Sequence, residues 1–127
     1  MPPDMRLAPA LSALLISVVL ATPVVAQGTF DANTRCGTFL QAVGAEDQPA
    51  IQAGRSYIMG VMEERDAEHA ANGQGDMMGA VDENGRISLM SALVTYCDRD
   101  PQRSLRSAAV QAYDDARAML GQMGRPR

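Results

Sequence analysis

From residue 28 onward, apolar positions recur with a helical period, and four helices are predicted from them. Cys36, Phe39, Leu40 and Val43 stand at i, i+3, i+4 and i+7, behind Thr34 as a candidate N-cap and ahead of Gly44 as a stop. Asp47 or Gln48 then leads into Pro49, a residue suited to the first helical position, and a second helix runs from there to about His69. Ile51, Gly54, Tyr57, Ile58, Val61 and Met62 share one of its faces, while Glu63, Glu64, Asp66 and Glu68 make its second half polar. Residues 70–86 hold Asn72-Gly73, Gly75, Gly79 and Asn84-Gly85 and read as a loop. Met77 and Met78 in that loop either offer an adaptable exposed contact or fold back onto the core; we take the second.

Ser88 to Asp98 makes a third helix. Ile87, Met90, Val94 and Cys97 form one stripe on it, and Leu89, Leu93 and Tyr96 an adjacent one. Apolar coverage that wide marks it as the central, most buried element. Asp100 then caps a fourth helix, with Pro101 at its first position and Leu105, Ala108, Ala109, Ala112, Ala116, Met119 and Leu120 on its apolar face. Residues 121–127 read as a frayed tail. The expected fold class is all-α, a small four-helix domain.

The N-terminal segment follows a different pattern. Arg6 precedes a mostly apolar run, Leu7 to Leu20, and Val24-Val25-Ala26 places small residues where a signal peptidase reads them. Residues 1–26 are therefore expected to be a signal peptide cleaved after Ala26. The continuous apolar run is short of the roughly 20 residues of a spanning helix. No cysteine follows the small residues, which argues against a lipoprotein. Residues 27–127 then make one small helical domain, with no membrane attachment after cleavage. Export places Cys36 and Cys97 in an oxidising compartment, where an even cysteine count reads as one disulfide, Cys36–Cys97. Closing a loop of about 60 residues contributes roughly 4 kcal/mol, a staple suited to a domain of this size.

All 11 basic residues are arginine, and the net charge is −4. A basic footprint for nucleic acid is missing. Arg99, Arg103, Arg106, Arg117, Arg125 and Arg127 cluster toward the C-terminus and read as a solvated helix face. Acid inverts the balance: below about pH 3 carboxylates protonate while arginine stays charged, giving roughly +10. Catalytic patterns are poorly represented. His69 is the single histidine, without a nucleophile or an orienting carboxylate at diagnostic spacing, and reads as a solvated surface residue. The acids from Glu63 to Glu68 lack the alternating spacing of a calcium loop, and Asp82-Glu83-Asn84-Gly85 lacks its remaining ligands. The cysteines are far from a Cys-x-x-Cys redox arrangement. No enzyme activity, metal or cofactor is expected.

Three segments carry a resemblance: Cys36-Gly37-Thr38-Phe39-Leu40, then Gly54-Arg55-Ser56-Tyr57-Ile58-Met59-Gly60, then Tyr96-Cys97-Asp98-Arg99-Asp100-Pro101 followed by Leu105 and Ala108. Across roughly Arg35 to Tyr113 the chain resembles the HdeA/HdeB family of periplasmic acid-stress chaperones. It departs from the family in having no lysine, and no tryptophan before Tyr57. The resemblance implies a homodimer at neutral pH that loosens in strong acid. Opened, it would bind unfolded periplasmic proteins through apolar surface, without ATP. The implied client or dimer surface is Phe39, Leu40, Tyr57, Ile58, Val61, Met62, Met90, Leu93 and Val94, residues that read equally as core. The implied pH-sensing carboxylates are Glu63, Glu64, Asp66, Glu68, Asp98 and Asp100. A second resemblance, through Ser56-Tyr57-Ile58-Met59-Gly60-Val61, is to Tai-type immunity proteins that inhibit secreted amidases. The additional cysteines usual there are missing, so it ranks second. A third reading is an assembly helper of the envelope.

Overall fold

A computed structural model describes residues 29–123. The domain consists of α1 (Cys36–Gly44), α2 (Gln48–Ala71), α3 (Glu83–Arg99) and α4 (Leu105–Met123), with a 3-10 turn at Met78–Ala80 between α2 and α3. It is all-α, as expected, and the Cys36–Cys97 disulfide joins α1 to α3 with its Cα atoms 5.0 Å apart. The expected signal peptide and residues 124–127 lie outside the described residues. Residues 121–123, expected to fray, continue α4.

Three helix starts differ from expectation, each because hydrogen-bond partners lie elsewhere. Arg35, not Thr34, occupies the N-cap of α1, and no side chain caps it. Its free amides are met by the distant chain: Cys36 N–H donates to the Arg103 carbonyl and Gly37 N–H to the Pro101 carbonyl, both at 2.8 Å. The Thr34 hydroxyl instead accepts from the Asp31 amide at 2.9 Å. Because residues 101–103 serve α1, they do not wind into a helix, and α4 begins at Leu105 rather than at Pro101. Ser104 caps it, its hydroxyl oxygen accepting from Ser107 N–H at 3.1 Å. Asp100 forms a local turn, accepting from Gln102 N–H. Conversely, α3 begins at Glu83, a full turn before Ser88. Asp82 caps it by accepting from Gly85 N–H at 2.9 Å, so Asn84-Gly85 belongs to the first helical turn. A Cβ at Gly85 would lie 2.6 Å from Val81 Cγ1, so any larger residue there would displace the Val81 side chain. Asp47, one of the two residues expected ahead of Pro49, caps α2 by accepting from Ala50 N–H, so Gln48 opens the helix and Pro49 is its second residue rather than its first.

The central element is α4, not α3. It packs on α1, α2 and α3 and buries Leu105, Ala108, Ala109, Ala112 and Tyr113. Three alanines there let neighbouring backbones approach closely. Helix α3 buries Leu89, Leu93 and Cys97 on a single i+4 stripe, while Ile87 is 52% exposed. At the disulfide end, Gly54 of α2 lies against the Phe39 ring, where a Cβ would sit 2.4 Å from Cδ1. Phe39, Cys36 and Cys97 are all buried in that corner of the core.

Candidate functional site

The opposite end of the domain is closed by residues 72–82. Met77 and Met78 fold back onto the core and are buried, as preferred from the sequence. What pins them is a carboxylate. Asp66 of α2 accepts from Met77 N–H at 2.9 Å through Oδ1 and from Met78 N–H at 3.0 Å through Oδ2. Tyr113 of α4 donates its hydroxyl to Asp66 Oδ1 at 2.5 Å. Arg117, one turn further along α4, places Nη1 2.8 Å from the Tyr113 oxygen and 3.4 Å from Asp66 Oδ1. The same guanidinium donates through Nη2 to the Gly75 carbonyl at 2.8 Å and to the Gln74 carbonyl. His69 is not a free surface residue: Nδ1 pairs with Gln74 Oε1 at 2.5 Å, and its ring lies 5.7 Å from the Tyr113 ring. Two helices thus hold one loop through a buried ion pair and its hydrogen-bond partners.

Asp66 is 5% exposed, and burial by itself raises its pKa. Contact with the neighbouring Asp76 side chain, together with hydrogen bonds from the Tyr113 hydroxyl and the Met77 and Met78 amides, outweighs that and holds it down to about 2. A depressed folded-state pKa stabilises the fold at pH values above the ordinary carboxylate pKa. That contribution, about 2 kcal/mol, is lost as pH falls from about 4 through 2. Burial first, and then the bond to Asp66, pushes Tyr113 up to about 12, so it remains a proton donor at neutral pH.

The other expected carboxylates do not gather with Asp66. Glu64 reaches Arg106 at 2.9 Å and Glu68 reaches Arg65 at 3.3 Å, both pairs largely in water. Arg65 is bound more closely to Asp114 of α4, by Nε at 3.1 Å and Nη2 at 3.2 Å, which raises its pKa. Glu63 is exposed, and Asp98 and Asp100 are exposed at the disulfide end. Exposed pairs of this kind contribute ~0–1 kcal/mol each. Of the expected apolar surface, Phe39, Ile58, Val61, Met62 and Leu93 are buried outright. Leu40, Tyr57, Met90 and Val94 are partly buried against them. In this folded form five are core and four pack at its edge.

Sequence reasoning missed Tyr113 and assigned Arg117 to a solvated face. A signal existed for both. Ile58, Met62 and Asp66 continue one i+4 stripe of α2, and Leu105, Ala109, Tyr113 and Arg117 continue one of α4. Two opposite charges thus extend two buried stripes. The described residues contain no cluster of histidine, cysteine and carboxylates that could hold a metal ion, and no helix long and apolar enough to cross a membrane. The chain matches no protein-family model, no curated protein and no solved structure.

Proposed function

We propose that the chain is an exported, ATP-independent chaperone of the periplasm. It would bind acid-unfolded proteins and suppress their aggregation. The observation that carries this is the Asp66 latch: a buried carboxylate holds a methionine-bearing loop closed, and acid removes its charge. Protonation leaves Arg117 buried to four-fifths without its counter-charge, and a charge so placed is costly. Every other cation is arginine or His69, so the acid form also repels itself. Met77 and Met78, released, would present flexible apolar side chains suited to varied clients. Phe39, Ile58, Met62 and Leu93 would follow if opening spread along the core. The Cys36–Cys97 bond, indifferent to protons, would keep the opened chain from unravelling. A homodimer at neutral pH, protecting the same apolar residues, belongs to this proposal.

The test is light scattering of an acid-denatured client with the purified mature chain. Suppression at about pH 2–3 and none at pH 7 is expected. Equal suppression at both pH values, or none at either, contradicts the proposal. A tight, pH-independent complex with one secreted amidase would replace it with the immunity reading.

A further inference from the structure

A second apolar feature lies outside the latch. An open groove of about 940 Å³ runs between the 72–82 loop, α3 and α4. Its lining includes Val81, Leu89, Ala92 and Ala116, and ends in Met119 and Leu120. Those last two are 63% and 51% exposed, though they lie on the face of α4 that buries Leu105, Ala108, Ala109 and Ala112 closer to its start. The alanines leave space that a larger side chain would fill. This size falls within the range of ligand sites.

Charge selects the occupant. Four charged residues line the groove: Asp76, Asp82, Asp115 and Arg117. The arginine is turned inward, its donors taken by the Gln74 and Gly75 carbonyls, Tyr113 and Asp66. The three aspartates are exposed. Gly79 N–H donates to Asp76, which also meets Asp66; Gly85 N–H donates to Asp82, and the Tyr96 hydroxyl to Asp115. A carboxylate has room for more donors than one. The rim is therefore an apolar trough edged by exposed carboxylates. A second copy of the chain brings the same aspartates and a net charge of −4, and an anionic lipid surface brings like charge.

We propose that the groove docks an amphipathic, lysine- or arginine-rich segment of a partner protein. Its apolar residues lie on Ala92, Ala116, Met119 and Leu120, and its cations meet Asp76, Asp82 and Asp115. This docking belongs to the closed form at neutral pH and does not depend on the acid-activated role.

The experiment is fluorescence anisotropy at pH 7 with the mature chain and two labelled amphipathic peptides, one of leucine and lysine, the other of leucine and glutamate. The lysine peptide is expected to bind at least about 10-fold more tightly, and added salt to weaken it. Ala116→Arg, which fills the groove and adds a cation, should lower that affinity by about 10-fold or more. Asp115→Asn should lower it about 2- to 5-fold with the fold intact. Equal binding of both peptides, or of neither, overturns the proposal. So does an affinity unchanged in Asp115→Asn, the deciding variant if Ala116→Arg fails to fold by circular dichroism. Binding to anionic vesicles instead, or a neutral-pH dimer abolished by Ala116→Arg, would give the groove a different occupant and overturn it too.

Discussion

The two ends of this domain are closed by different chemistry. At one end, Cys36–Cys97 ties α1 to α3, and the amides of α1 are met by carbonyls of the α3–α4 connection. Neither the disulfide nor those backbone bonds includes a titratable group. At the other end, the 72–82 loop is held by Asp66 and Arg117, with Tyr113 between them. That closure includes a buried negative charge, which strong acid removes. Both ends bury apolar side chains of the same core, so in neutral solution they are equivalent as packing. Acid separates them: one end keeps its bond while the other loses its charge. Local stability within one small fold is thus uneven by construction.

Removing the covalent end has the largest expected effect. Cys36→Ser with Cys97→Ser should lower stability in urea by about 4 kcal/mol at pH 7. In acid this variant should lose both ends in one step, because nothing then distinguishes them. A two-step acid transition surviving in the double variant would break the comparison. Next comes Asp66→Asn, which keeps the shape of the side chain and removes its charge. Stability at pH 7 should fall by about 2 kcal/mol, with little further loss between about pH 4 and 2, where the native protein loses most. A variant whose acid profile parallels that of the native protein would mean another group holds the loop. The smallest effect is expected for Glu64→Gln. It breaks an ion pair to Arg106 that is largely in water, and should change the melting free energy by about 0.5 kcal/mol or less. A loss as large as that of Asp66→Asn would remove the distinction between buried and exposed carboxylates.

Much of the covalent end was legible in the sequence. An expected export signal and two cysteines point to the disulfide, and the i, i+3, i+4, i+7 spacing around Cys36 marks its helix. The acid-sensitive end was only half legible. Met77 and Met78 could be placed inward from their apolarity, but the group that fixes them could not. Asp66 sits among three exposed acids of α2, and composition alone merged it with them. Burial separates it, and burial depends on α4 and the loop arriving from far along the chain. The helix starts failed for a related reason. Local cap patterns at Thr34 and Asp100-Pro101 were overridden by backbone bonds between residues 34–37 and 101–105, which no local window contains. At Asn84-Gly85, a turn dipeptide lay beside a stronger cap in Asp82.

The central claim is that a single buried carboxylate lets the loop open before the disulfide end. Methyl NMR of protein labelled at methionine and leucine tests it in one acid titration. The Met77 and Met78 methyl signals should move to solvent-exposed positions as pH falls from about 4 to 2, while the Leu93 methyls keep their native shifts. Met77, Met78 and Leu93 moving together at one pH, or the methionines staying in place throughout, would contradict it.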